Sequence, residues 1–274
     1  MDVGAGAVGI FRHGSRVVDP GNRLANVTLA PVAGGLGAAL SLYDGMQAWR
    51  AERRAAALGD REGVRRARAR EAGALLFALS GLELAVGRFL DPGTVATVLG
   101  KGGLAAAFAG ACISMGVALL GVVRCATFSR RLEAHSSPAS KLAFLLDELA
   151  QEGGEEYLKR RLSARVVNAL KEQGGEWYWA GHSVRREVQQ LIQQAQQDNR
   201  QKMGLYTLLF AGSALLAAGL LILLILGGSG RAPYLLLGSS TALSLGLSLY
   251  FIYRRWSAQE LPVETAALPA APGR

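Results

Sequence analysis

Cysteine and histidine are scarce: the 274-residue chain holds two of the first and three of the second. His13, His135 and His182 lie far apart, with no cysteine or carboxylate at metal-ligand spacing. Neither a disulfide framework nor a zinc or iron site has the residues it needs, so no metal and no cofactor are expected. Signatures of catalysis are missing too. Gly100-Lys101-Gly102 lacks the upstream Gly and following Ser/Thr of a phosphate loop, and Gly4-Ala5-Gly6-Ala7-Val8-Gly9 lacks the preceding strand that a dinucleotide fingerprint requires. No nucleophile elbow, paired acidic motif or kinase signature occurs, and the chain is expected not to be an enzyme. Met1 to Arg23 carries Asp2, Asp19 and several glycines instead of a compact apolar core, so no cleavable signal is expected and insertion falls to internal segments.

Charge is absent where it matters most. Met203 to Leu226 has no Asp, Glu, Lys, Arg or His in 24 residues, and Tyr234 to Tyr253 has none in 20. At about 1.5 Å per residue the first run reaches about 36 Å, enough for a hydrocarbon core of about 30 Å with some tilt. Gly227-Gly228-Ser229-Gly230-Arg231-Ala232-Pro233 separates the runs and is too rich in helix breakers to continue either. The pattern predicts a transmembrane hairpin over 203–253. Arg200 and Lys202 before it, and Arg254 and Arg255 after it, put both of its ends on the cytoplasmic side.

A second hairpin is expected over 73–123. Gly73 to Leu90 is apolar apart from Glu83 and Arg88, Asp91-Pro92-Gly93 turns the chain, and Leu104 to Val123 is uncharged for 20 residues. Glu83, near the middle of the first of these runs, is the one intramembrane polar candidate, expected to bond a neighbouring helix or to serve a proton or ion site. Residues 1–28 read as a flexible N-terminal tail. Leu29 to Tyr43, within a segment 29–49, is a short apolar run suited to a re-entrant, interfacial or spanning helix. Arg50 to Arg70 holds eight arginines against three acids, in an Arg-rich helical loop over 50–72 with a break at Gly59 to Gly63. The net charge of +9 would suit nucleic acid in a soluble protein. No stacking aromatics accompany these arginines, however, so anionic lipid headgroups at the bilayer are the expected partner and nucleic acid is not.

The largest polar segment, 124–202, reads as three one-sided helices exposed to the cytosol. Ser137-Pro138 caps the first, Leu158, Leu162, Val166 and Leu170 stripe the second, and the third starts near Ser183 and can run unbroken into the span at Met203. Trp177, Tyr178 and Trp179 are candidates for contact with a partner or for plugging the bundle core. Seven glutamines between Gln189 and Gln201 give the third helix a polar surface. The last segment, 254–274, is proline-bearing and expected to be disordered.

The fold class expected is all-α, a polytopic helical membrane protein with two transmembrane hairpins separated by a small helical cytosolic segment. Within the last span, Gly238, Ala242 and Gly246 form one ridge of small residues and Ser240, Ser244 and Ser248 another on the opposite face. One ridge is expected against Met203 to Leu226 and the other against a second protomer, making a homo-oligomer. The functional expectation is a membrane-anchored scaffold that binds an unidentified protein through its cytosolic helices, with a small-solute or ion transport component as the alternative. The paired-hairpin layout is similar to that of bacterial inclusion-membrane proteins, a resemblance of architecture that implies a secreted effector.

Overall fold

The computed structural model describes residues 2–18, 29–57, 59–86, 94–151, 182–226 and 231–259. They form helices α1 (Asp2–Val18), α2 (Leu29–Ala57), α3 (Arg61–Val86), α4 (Thr94–Ala134), α5 (Pro138–Gln151), α6 (His182–Leu226) and α7 (Ala232–Gln259), with no strand among them. Three segments are long and apolar enough to cross a membrane: Gly100–Ala134, Val188–Leu226 and Ala232–Tyr250. The chain is thus an all-helical protein of the membrane class. α2 and α3 are not among the three, because each joins an apolar half to an arginine-rich half.

Local chemistry sets the breaks. Gly59 has φ 71° and takes the left-handed position that ends α2, with its N–H donating to Ala56 O and that of Asp60 to Ala55 O. Asp60 then caps α3, accepting from Gly63 N at 2.8 Å. Ser137 caps α5 through Ser140 N, and Pro138 opens the helix where its missing N–H costs nothing.

The long helices pack antiparallel to their neighbours. α3 lies on α2, α4 on α3, α6 on α4 and α7 on α6, and α1 lies against α7, so the first and last helices also meet. The pairing registers are visible in close contacts: Gly81 against Gly34 and Ala38, Gly110 against Gly73 and Phe77, Gly121 under the Tyr206 ring. Between α2 and α3 the buried residues are small and follow a three-four spacing, Gly34, Ala38, Gly45 and Ala48 facing Ala67, Ala74 and Ala78. A Cβ added at Gly34 would lie 2.7 Å from Gly81 O, and one at Gly81 2.7 Å from Gly34 O, so these two backbones touch. A second cluster joins Ala107 and Ala111 of α4, Ala217 and Leu220 of α6 and Leu237 of α7. Large apolar side chains point the other way: Leu36, Leu42, Leu75, Leu79, Leu119, Leu120, Leu208, Leu209, Leu221, Leu235 and Leu249 are all exposed.

At one end of the bundle this order reverses. α4 does not stop at Val123, and α6 runs from the polar segment into the span without a break, as the sequence allowed. Beyond the apolar stretch, Leu132, Leu142, Leu145, Val188, Leu191 and Ile192 close a conventional leucine core, with Phe128 and Phe144 packed on it. The stripe at 158–170 lies outside the described residues.

Two expectations about the termini need correction. Asp2–Val18, read as part of a flexible tail, is a helix docked on α7, with the Arg16 guanidinium 5.2 Å from the Tyr234 ring centre. Its glycines weaken an isolated helix, but they also let it approach a neighbour closely, and the tertiary contact overrides propensity. Likewise α7 continues through Arg254 to Gln259, beyond the expected start of a disordered tail. Residues 260–274 lie outside the described set.

Candidate functional site

Glu83 extends from α3 across α4, where Gly102 and Gly103 leave room for it; a Cβ at Gly103 would lie 2.8 Å from Glu83 Oε2. That oxygen is buried and accepts no hydrogen bond. Its depth differs from the sequence expectation. Glu83 is one turn before the end of α3 at Val86 and level with the start of α4's uncharged run, not with its middle. The run of apolar residues in α3 suggested a central position, but the register with α4 sets the level. From Gly103 to Arg124 is 21 residues, about 32 Å of helix, so Glu83 and Arg124 lie about one hydrocarbon thickness apart.

Charges along α2 and α3 are arranged by depth. Arg68 bonds Glu52 at 2.7 Å, and Arg70 forms a two-point pair with Asp44. Nearer the tip, Arg53 stacks over Trp49 at 4.0 Å, and Arg54, Arg61 and Arg65 are exposed. Opposite charges thus cancel on the stretch beside α4's apolar run, while the tip remains basic.

One buried polar residue was not singled out from sequence. Asn199 is buried, and its amide donates to Cys125 O at 2.8 Å and Ser129 Oγ at 2.9 Å, pinning α6 to α4 where the leucine core gives way to the apolar span. Sitting in a glutamine-rich stretch, it looked like one more solvated amide. The signal available was spacing: Val188, Ile192, Ala195 and Asn199 recur on one face.

The two predicted ridges of α7 are each divided. Ser240 is buried and donates to Gly212 O of α6 at 2.8 Å, whereas Ser244 and Ser248 donate to carbonyls of their own helix. Gly238 faces His13 of α1. Ala242 and Gly246 line a groove of about 670 Å³ on the flank of the α6–α7 pair, with Gln201, Gly204, Leu205, Leu208, Leu243 and Tyr250. Hence the serine ridge does not form a continuous face, and Gly238 meets α1. His13 itself is held down to about 4 by burial, then by the neighbouring Arg12 and Arg16 charges. Trp177, Tyr178 and Trp179 lie outside the described residues. Among the described residues no three His, Cys, Asp or Glu side chains cluster as metal ligands.

The fold and these contacts define a helical protein of the membrane class. No protein family, curated protein or solved structure matches the chain.

Proposed function

We propose that the chain is a multi-pass membrane scaffold: two transmembrane hairpins that hold a helical cytosolic segment at the bilayer surface for binding another protein. The observation that carries this reading is the reversal of packing along α4 and α6. In the apolar stretch alanine is buried and leucine displayed, which suits a lipid surround; past Asn199 leucine is buried and glutamine displayed, which suits water. Gln189, Gln190, Gln193 and Gln197 are exposed on the outer part of α6, giving a partner a polar face on a rigid support. Positive charge at Arg54, Arg61, Arg65, Arg124, Arg200 and Lys202 lies toward that same end, in favour of a cytoplasmic orientation against anionic headgroups.

Transport is the weaker reading, because Glu83 lies near the edge of the apolar zone and the charges beside its middle, Arg70 with Asp44 and Arg68 with Glu52, are already paired with each other. Reporters fused after Arg255 and within residues 130–180 should both report the cytoplasmic side; a lumenal signal from either rejects the topology. A photocrosslinker at Gln190 or Gln193 in the full chain should form adducts with protein, while one at Leu79 should label lipid. Equal lipid labelling at all three positions would reject the scaffold. Glu83→Gln should leave insertion and any proton flux in liposomes unchanged.

A further inference from the structure

The α6–α7 pair is shut over one half of its length and open over the other. Leu237 packs on Gly219, with its side chain 3.1 Å from where a Cβ there would lie, and Ser240 donates to Gly212 O at 2.8 Å. Past these contacts a groove opens on the flank of the pair, where a Cβ at Gly204 or Gly246 would meet nothing within 4 Å. The opening runs along α7 from Ser239 to Tyr250, 11 residues or about 16 Å, and its volume of about 670 Å³ falls in the range of ligand clefts.

We propose that this groove holds one acyl chain of an anionic phospholipid whose headgroup carries hydroxyl donors, drawn from the leaflet on the Arg200 and Lys202 side. Depth identifies the occupant. About 16 Å is half of a hydrocarbon core of about 30 Å, the reach of a lipid chain from its own headgroup level to the bilayer centre. A helix from a second copy would cross the full thickness, and the inner half of the pair is closed to it by Ser240 and Leu237. The wall is mostly apolar, Leu205, Leu208, Ala242, Leu243 and Leu247 with Ser239 at the far end, and the mouth carries Gln201 and Tyr250. The Gln201 side-chain oxygen is buried at the mouth and accepts no hydrogen bond, so a turn of that amide into the groove would let a donor on an occupant satisfy it. Exposed Arg200 and Lys202 flank it in the chain and supply positive charge for a phosphate.

The proposal rests on the reading that α6 and α7 lie in a bilayer, and the test separates the two. The full-length protein is purified in detergent containing equal phosphatidylglycerol and phosphatidylcholine, and lipid retained per chain is read by native mass spectrometry. Wild type should retain one phosphatidylglycerol. Gly204→Leu and Gly246→Leu fill open space, so each should keep the wild-type melting temperature and retain roughly tenfold less lipid. Gln201→Leu should still retain a lipid but lose the preference for phosphatidylglycerol. Free glycerol phosphate should not compete. Unchanged retention in both leucine variants overturns the groove, as does competition by glycerol phosphate. Loss of wild-type dimers in the leucine variants, with no lipid retained by any form, would make the groove an interface between copies instead. A chain that stays monodisperse after detergent removal overturns the membrane reading itself, whereas a detergent-dependent chain without bound lipid overturns only the groove.

Discussion

The α2–α3 seam and the cluster formed by α4, α5 and α6 meet the same demand, holding helices together, with opposite residue sizes. In the seam Gly34, Ala38, Ala74 and Ala78 are inside and Leu36, Leu75 and Leu79 outside; in the cluster Leu132, Leu142 and Val188 are inside and the glutamines outside. A leucine displayed to hydrocarbon loses nothing, so attraction there must come from close backbone approach. A leucine displayed to water forfeits about 1.5–3 kcal/mol, which is why the cluster buries its own. The two packing styles therefore differ in the way that the proposed bilayer and cytosolic surroundings would require.

The most severe break of this contrast is Gly81→Leu, which puts a side chain where Gly34 O already sits. We expect loss of the compact α2–α3 pair and a cost of about 3 kcal/mol or more, read as detergent-dependent thermal unfolding. Leu142→Ala should cost about 3 kcal/mol by leaving a cavity in the leucine core, and hydrogen exchange should rise in α5 while the spans stay protected.

A pH test sharpens the comparison at a third contact, where α1 meets α7. Folding holds the His13 imidazole at about 4, below its ordinary 6.5, so the docked state favours the neutral ring. The docked contact is complete above about pH 6.5 and weakens as pH falls toward 4; by about pH 5 roughly 2 kcal/mol of it should be gone. Distances between spin labels on exposed Phe11 and Leu249 should lengthen over that window, and His13→Leu should remove the pH dependence. The smallest effect belongs to Leu79→Ala. Its outward side chain should contribute less than about 0.5 kcal/mol in a lipid-like medium, and a fall as large as that of Leu142→Ala in the same assay would place this face in a protein contact.

Punctuation was legible from sequence: Gly59, Ser137-Pro138 and Ala232-Pro233 each mark a helix boundary, and the uninterrupted passage of α6 into its span followed from the lack of a breaker after Ser183. What stayed hidden depends on pairing. Gly34, Gly45 and Gly81 look like local weaknesses until their partners supply the close contact. Asn199 looks like surface until Cys125 and Ser129 are across from it, and Asp2–Val18 has no reason to fold without α7. The level of Glu83 likewise belongs to the register between α3 and α4, which neither helix states alone.

Asn199 has a mechanical consequence. It stands 17 residues from the start of α6 and 27 from its end, about 26 Å and about 40 Å along one unbroken rod. The two hydrogen bonds sit between two packed arms, the outer one in the leucine core and the longer one against Ala107, Ala111 and Leu237. A partner that draws the outer end sideways would therefore load both clusters through one stiff helix, and whatever passes beyond Asn199 would arrive in the bilayer as a change of tilt.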